Sequence, residues 1–332
     1  MLRIGSLFTG IAGLDLGLAA AVEAETAWCA ENDSRASMVL AHRFPEVPNL
    51  GNVREIDWAG AEPVDVIAGG FPCQDVSVAG ARAGIAEGTR SGLWGEMVRA
   101  VEALRPGFVV IENVRGLLSA DGHVRVMGRA EGTVDGRRPS AFQVLVADLA
   151  ALGYDAQWIC LGADEFGAPH RRERIFVLGR DRSRPASAAD ADGDTERHEP
   201  VLVDRATRQV AGGKADAVPA AVGGGSGSGF WPGRYRDTIA QWERVIGRPA
   251  PDPSAVLRGK RVLNPRLIEW MMGFGDGWVT DVPGLSQTAQ FRLLGNSVVP
   301  LQAETILRRL FRWSAIDPKP HPDPEGVGGG VE

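Results

Sequence analysis

The sequence predicts an α/β fold with a doubly wound, mostly parallel sheet and a second, smaller domain. Three observations lead to this prediction. Short apolar runs alternate with segments of helical periodicity over the first 180 residues. Glycine turns follow the runs that end near Phe8 and Ala68. The composition changes after Arg180, where large apolar side chains become scarce.

The first half of the chain supplies the elements of this sheet in order. Residues 3–8 predict a strand that enters a glycine turn, residues 9–13, and a helix follows. Residues 64–68 and 108–111 predict two more strands, and residues 154–161 and 174–178 another two. Apolar residues at helical spacing predict two core helices, one ending before Pro106 (Leu93, Met97, Val101, Leu104) and one before Gly153 (Phe142, Leu145, Leu149, Leu152).

The second half predicts a different organisation. Residues 185–229 are rich in Ala, Gly and Asp and end in a Gly/Ser-rich stretch, which is typical of a linker. Helices are expected at residues 238–246 and 265–272 and again up to about residue 313. We therefore expect a large domain of residues 1–180 and 290–314, a small domain of residues 181–289 that includes the linker, and a disordered tail of residues 315–332.

Composition limits the classes of function. No run approaches the roughly 20 apolar residues of a membrane span, and the N-terminus lacks a leader pattern, so we expect a cytoplasmic protein. Cys29, Cys73 and Cys160 lie far apart without ligand spacing, which predicts neither disulfides nor a metal site. The net charge of −6 is unfavourable for binding nucleic acid overall, so a DNA surface would be local, and residues 171–184 with six arginines are one candidate.

One cysteine and one glutamate follow predicted strands, at the edge where sheets of this type bind their ligands. The motif Gly69-Gly70-Phe71-Pro72-Cys73-Gln74 directly follows the run at residues 64–68, and Glu112-Asn113-Val114 directly follows the run at residues 108–111. Because the carboxyl ends of parallel strands share one edge, the thiol of Cys73 and the acid of Glu112 should face one crevice.

These motifs, in this order and spacing, resemble the cytosine-C5 DNA methyltransferase family of bacterial or phage type, which implies a Rossmann-like class I fold dependent on S-adenosyl-L-methionine. The resemblance implies that Cys73 adds to C6 of cytosine and that Glu112 holds and protonates the base at N3. Arg172 and Arg174 match the family's Gln-x-Arg-x-Arg motif, with His170 in place of the Gln. The second arginine would donate to cytosine O2.

The resemblance also implies a cofactor site. Residues 8–13 look like the family's Phe-x-Gly-x-Gly-Gly turn, with Ala12 where the second glycine is usual. Glu31 would accept from the ribose hydroxyls, and Asn52, in place of the usual Asp, from the adenine amino group. The residues implied to contact the cofactor are Phe8, Gly10, Ile11, Gly13, Glu31, Asn32, Asn52, Val53, Gly70, Pro72, Leu93, Asn296 and Ser297.

Double-stranded DNA is the implied partner, with the target cytosine flipped out of the duplex. In residues 74–90, which are rich in Gly, Ala and Ser, Gln74, Ser77 and Arg90 would contact DNA, and the segment would close over it. The small domain would read the target sequence. The resemblance implies a monomer and leaves open whether a cognate restriction endonuclease acts on the same site.

Alternatives remain at this point. One branch of the family methylates tRNA, and a nucleotide-binding protein without methyl transfer is a second alternative. A dehydrogenase should carry Gly-x-Gly-x-x-Gly, which residues 10–13 do not supply, and an inactive relative should have lost Cys73 or Glu112. Cys29 and Cys160 are expected to be core thiols, whereas Trp231 and Trp242 fit a small core or DNA contacts equally.

Overall fold

The computed structural model describes residues 1–72, 92–120, 139–184, 231, 233–257 and 259–315. Cys73, Gln74, Ser77 and Arg90, the segment of residues 74–90, the Gly/Ser-rich linker and nearly all of the expected tail lie outside the described residues. The predictions made for them therefore stay predictions.

Eight strands are described, six in a central sheet and two in a separate hairpin. They are β1 (Leu2–Leu7), β2 (Ala24–Ala30), β3 (Val66–Gly69), β4 (Phe108–Val114), β5 (Tyr154–Leu161), β6 (Arg174–Asp181), β7 (Ser254–Leu257) and β8 (Lys260–Leu263). The order in the sheet is β2-β1-β3-β4-β6-β5. The first four strands are parallel, and β6 runs antiparallel to both of its neighbours.

Helices cover both faces of this sheet, and their described bounds are α1 (Gly13–Val22), α2 (Ser34–Arg43), α3 (Leu93–Leu104), α4 (Ala141–Ala151), α5 (Gly233–Ile246), α6 (Pro265–Met271), α7 (Gln287–Asn296) and α8 (Pro300–Ala315). Ile67 and Val109 pack on the face with α3 and α4, whereas Val66 and Val110 pack on the face with α1 and α8. A strand buried on both faces is mostly apolar, which is why residues 66–68 of β3 and 108–111 of β4 read as continuous apolar runs. The predicted doubly wound, mostly parallel α/β fold is confirmed.

A third apolar cluster joins the C-terminal part of the chain, its described residues from 231 onward, to the turn after β1, to α2 and to the connection between β5 and β6. Trp231 and Trp242 are buried in it, and the indole Nε1–H of Trp242 donates to the Trp270 carbonyl at 2.9 Å. The structure therefore assigns both tryptophans to a core. The same cluster contains Ile11 from the glycine turn after β1, so buried side chains of the C-terminal part pack around that turn.

Several elements differ from the expectation. The helix expected at residues 238–246 begins earlier, at Gly233, and α2, α7 and the hairpin were not predicted. Strand β4 continues through Glu112 to Val114, because these residues keep ladder pairs with Phe176 and Arg174 of β6. Within the described part of the chain, no helix is long and apolar enough to cross a bilayer.

Candidate active site

Glu112 lies at the carboxyl edge of the sheet, beside the turn that leads toward residue 73. In the ladder between β3 and β4, Gly69 pairs with Ile111, so Gly70 lies next to Glu112. An ideal Cβ on Gly70 would stand only 2.8 Å from Oε2 of Glu112. The second glycine of the Gly-Gly-Phe-Pro turn thus leaves the space that the acid occupies.

Burial and arginine act in opposite directions on this acid. Glu112 is 8% exposed, and its Oε1 accepts from Nε of Arg174 at 2.9 Å. Burial raises the pKa of Glu112, and the positive charges of Arg174 and Arg172 offset only part of that effect. One carboxylate oxygen is therefore fixed by arginine, while the group as a whole takes up a proton more readily than an exposed glutamate.

Asn113 fixes the turn that precedes residue 73. Its side-chain Nδ2 donates to the Phe71 carbonyl at 3.1 Å, and its Oδ1 accepts from the amide of Val114 at 2.8 Å. The Phe71 ring packs against Trp94 at 5.7 Å between centroids, and Trp94 donates through Nε1 to Asp148. The strand that carries the acid thus holds the start of the cysteine-bearing segment. Asn113 was not among the predicted site residues, although its motif was recognised.

Arg172 is bound to the C-terminal part of the chain. Its Nη2 donates to the Ser297 carbonyl, and its backbone has φ 28°, which is unfavourable for a residue with a side chain. Burial, together with the neighbouring Arg174, lowers the pKa of Arg172 to about 10. Arg172 and Arg174 both contribute positive potential at Glu112, but the structure gives them different partners.

His170, which stands in place of the family's Gln, also contacts the C-terminal part. Its Nε2 lies 3.1 Å from the Met271 carbonyl, and burial, together with Arg172, lowers its pKa to about 4. The ring is therefore neutral at physiological pH and donates through Nε2, since a carbonyl can only accept. The replacement keeps a polar side chain that anchors this connection.

The turn after β1 has an unusual backbone. Phe8 (φ 55°), Gly10 (φ 59°) and Ala12 (φ 66°) are all left-handed, and an ideal Cβ on Gly10 would meet open space. Glu31 accepts from the amide of Gly10 at 2.8 Å and from the amide of Asp33 at 2.7 Å. These bonds orient the carboxylate at the end of β2, and each oxygen keeps a further lone pair for a ligand hydroxyl.

Gly13 permits close packing between this turn and α7. An ideal Cβ there would lie 2.6 Å from Oγ of Ser297 and 3.2 Å from Cζ of Phe274. Ser297 is buried, whereas the neighbouring Asn296 is exposed at the end of α7. The structure therefore brings the predicted residues at 8–13 and 296–297 together, although they are distant in sequence.

A profile of the C-5 cytosine-specific DNA methylase family matches residues 2–214. The chain belongs to this family. Among its relatives, the Type II methyltransferase M.Bsp6I of Bacillus sp. is 32% identical over 180 residues, covering 54% of this chain and 52% of the relative. The chain thus spans about half the length of that relative. The Type II methyltransferase M.NlaX of Neisseria lactamica is 29% identical over 315 residues, which cover 90% of this chain and 92% of the relative.

The fold also has a solved counterpart. A crystal structure of a prophage-encoded protein of E. coli, described as a DNA modification methyltransferase, superimposes with a TM-score of 0.56. The aligned residues cover 94% of this chain and 99% of the E. coli chain, with 21% sequence identity. At that identity, the likeness establishes the fold alone.

Asn52 and Val53, which the resemblance places beside the adenine, both have contacts within the protein. Asn52 donates through Nδ2 to Glu55 at 2.7 Å, and its Oδ1 accepts from the amide of Arg54 at 3.3 Å. The Val53 side chain is buried in the core. The remaining predicted cofactor residues differ in exposure, with Asn32 exposed and Pro72 and Leu93 half-buried.

The arginines of residues 171–184, one candidate for a local DNA surface, fall into two groups at opposite edges of the sheet, and DNA binding by either group stays a prediction. Strand β6 runs antiparallel to β4, so Arg174 lies at the edge with Glu112 and Arg180 at the opposite edge. The partners are also within the protein, since Arg180 donates to the Ser314 carbonyl and Arg184 to the Arg105 carbonyl. An eight-residue strand is about 26 Å long, which separates the two groups of arginines.

The two described cysteines are structural. Cys29 is buried, and burial raises the pKa of its thiol to about 12. Cys160 is half-buried and packs against the sheet core, and burial raises its pKa as well. Neither group favours a thiolate at neutral pH. In the part of the chain that the structure describes, no three His, Cys, Asp or Glu side chains are grouped to hold a metal.

Proposed function

We propose that this protein is a DNA (cytosine-5-)-methyltransferase that acts on a cytosine flipped out of a specific duplex sequence. The observation that carries the proposal is the buried Glu112, paired with Arg174 and placed beside the Gly70-Phe71-Pro72 turn. Family membership supports the proposal, because that turn leads into Cys73, the nucleophile that the motif implies. The acid lies on β4, and the turn that leads toward Cys73 follows the adjacent parallel strand, β3.

Glu112 would recognise and activate the base. A protonated Glu112 donates to N3 and accepts from the exocyclic amine, so negative charge that forms on the ring is neutralised. The raised pKa of Glu112, caused by its burial, supports this role because the proton is retained to higher pH than in an ordinary glutamate. Arg174, already oriented by Glu112, would donate to cytosine O2.

Cys73 would make and break the covalent bond. Its thiolate adds to C6, which makes C5 nucleophilic; C5 gains the methyl group and loses its proton, and elimination of Cys73 restores the aromatic ring. Arg172 and Arg174 supply positive charge that favours the thiolate. S-adenosylmethionine, when bound, supplies the methyl group. We assign no protein residue to removal of the C5 proton.

The turn after β1 fits that cofactor. The open space at Gly10 admits a ligand close to the backbone, and the fixed Glu31 carboxylate can accept from the two ribose hydroxyls. Ser297 and Asn296 would border the site through the contact with Gly13. Oδ1 of Asn52 accepts one weak bond, at 3.3 Å from the Arg54 amide, and keeps a second lone pair for an adenine amino group.

The DNA partner would be bound by two segments of the chain. Gln74, Ser77 and Arg90 belong to the segment proposed to close over DNA, and residues 181–289 to the proposed target-recognition domain. Flipping costs a few kcal/mol, which contacts of the base with Glu112 and Arg174 would offset. A cytoplasmic monomer, with or without a cognate endonuclease, remains part of the proposal.

Expression in a host without cytosine methylation, followed by single-base mapping of 5-methylcytosine, tests the function. Methylation at one short motif, absent with Cys73→Ala, is the expected result, and Cys73→Ala should still bind S-adenosylmethionine. Methylation by Cys73→Ala would contradict the covalent mechanism. Soluble, folded wild-type protein that leaves DNA unmodified would refute DNA as the substrate and direct the assay to tRNA.

A further inference from the structure

The turn after β1 has backbone angles that an isolated short peptide would not keep. Phe8 and Ala12 carry side chains yet have φ of 55° and 66°. L-residues avoid this region because Cβ crowds the following carbonyl, so such conformations persist where surrounding structure holds them. Within the turn, the Ala12 amide donates to the Thr9 carbonyl at 2.9 Å, and outside it Glu31 binds Gly10.

Trp278 supplies the next external bond to this turn. Its indole Nε1–H donates to the Ile11 carbonyl at 3.0 Å, although the two residues are 267 positions apart. Ile11 lies between Gly10 and Ala12, two of the three left-handed residues of the turn. The bond therefore fixes the peptide at the centre of the turn.

The indole is itself held from several directions. Its ring stacks on Phe274 at 6.0 Å and meets the edge of Phe44 at 5.8 Å between centroids. The Arg43 guanidinium lies 5.3 Å from the ring centroid, and its Nε donates to the Trp278 carbonyl at 2.9 Å. Phe44 and Arg43 lie at the end of α2, the helix that follows Glu31.

A buried carboxylate sets the loop that presents Trp278. Glu269 is 2% exposed and accepts from the amides of Gly277 at 2.8 Å, Val279 at 2.6 Å and Thr280 at 3.0 Å. These three amides bracket Trp278 in sequence. The position of its indole is consequently determined by the C-terminal part of the chain together with the end of α2, and not by the turn that it contacts.

We propose that Trp278 is a positioning residue for the cofactor site, and that through its bond to Ile11 the C-terminal part of the chain sets the affinity for S-adenosylmethionine. This inference rests on the proposed function, since it takes S-adenosylmethionine as the ligand of the turn. Trp278 acts through the backbone of the turn. Losing its N–H should weaken cofactor binding without changing the chemistry at Glu112.

Trp278→Phe removes the N–H donor and keeps an aromatic ring, and Trp242→Phe is the matched control. Trp242 is fully buried in the same cluster and donates its own Nε1–H to the Trp270 carbonyl at 2.9 Å, so it loses the same kind of bond away from the turn. The dissociation constant for S-adenosylmethionine is measured by calorimetry on the full chain, with Tm and steady-state constants alongside.

We expect Trp278→Phe to raise the dissociation constant and the KM for S-adenosylmethionine about 3- to 10-fold, the effect of one hydrogen bond. Its kcat at saturating cofactor and its KM for DNA should stay near wild type. Trp242→Phe should lower Tm and leave the dissociation constant unchanged. An unchanged constant in Trp278→Phe, or an equal rise in both variants, would overturn the inference.

Arg43→Met gives a second test if Trp278→Phe does not fold. It removes the bonds to the carbonyls of Trp278 and Gly277 but keeps most of the aliphatic stem. A smaller rise in the same dissociation constant is expected, and an unchanged value in folded protein would contradict the proposed support of the indole. Wild-type protein that binds no S-adenosylmethionine would instead refute the cofactor assignment, and this inference with it.

Discussion

Replacing Gly70 by alanine should displace the Glu112 carboxyl group while the protein stays folded. The new Cβ would lie 2.8 Å from Oε2 of Glu112, whereas ordinary van der Waals contact begins at 3.4 Å. The carboxylate oxygen must therefore move by about 0.6 Å, the difference between these distances. Oε2 ends a flexible side chain, so moving it should cost no more than an off-rotamer χ angle, about 0.5–1.5 kcal/mol.

The catalytic cost should be larger, because a displaced acid no longer meets N3 in the geometry of proton donation. We expect kcat/KM for methylation to fall about 10- to 100-fold while the protein stays folded. Gly95→Ala is the control, since Gly95 lies in α3 with no atom within 4 Å of its ideal Cβ. That substitution should stabilise the protein by about 0.5–1 kcal/mol and leave activity unchanged.

Methylation rate, Tm and S-adenosylmethionine affinity are measured on both variants. A folded Gly70→Ala protein with wild-type kcat would refute the reasoning that the position of the Glu112 carboxyl group governs proton donation to the base. If only the cofactor affinity changed, Gly70 would act as the cofactor residue that the family resemblance implies. An equal loss of activity in Gly95→Ala would show that the assay reports folding and not the position of Glu112.

Three further substitutions test other parts of the site. Glu112→Gln should lower kcat at least about 100-fold and remove the fall of activity with rising pH, because the acid form of Glu112 is lost as pH passes its raised pKa; wild-type turnover would exclude the acid role. Ala12→Gly should change the free energy of unfolding by less than about 1 kcal/mol, since relief of the left-handed φ is offset by chain entropy and a lost buried methyl group. Asp15 is buried, and burial raises its pKa from 3.8 to about 6, so ionisation favours the unfolded chain and stability should fall as pH rises, by about 3 kcal/mol in total and by about 2 kcal/mol between pH 4 and pH 6. Asp15→Asn should abolish that part of the pH dependence in denaturant titrations, and an unchanged difference between pH 4 and pH 6 would contradict it.

The strands at the site could be predicted because they are buried on both faces. Residues 64–68, apart from Asp65, and residues 108–111 are apolar runs, and the residues that follow them carry the motif side chains. The end of β4 could not be placed, since Glu112 and Asn113 are polar and stay in the strand through pairing with β6, about 60 residues later. The residues around Glu112 do not indicate that β6 pairs with this part of β4.

Two missed helices show the limit of apolar periodicity. Helix α2 buries only Ala36, Val39 and Leu40, too few to form a clear stripe. Its start was nonetheless readable, because Asp33 caps it by accepting from the amides of Arg35 and Ala36. Helix α7 likewise begins at a serine cap, Ser286. Capping residues were therefore the better signal where burial is slight.

The contacts that assemble the site connect distant parts of the chain, which explains why a motif alone could not place them. The family match ends at residue 214, yet the connection that carries Arg172 is held by residues beyond it. Met271 accepts from His170 and Ser297 from Arg172, and the fully buried Gln302 donates to the carbonyls of Leu161 and Arg172. Since Arg172 has an unfavourable φ, these bonds determine where its charge lies relative to Glu112. Glu112 is thus placed by the sheet, whereas Arg172 is placed by the C-terminal part of the chain.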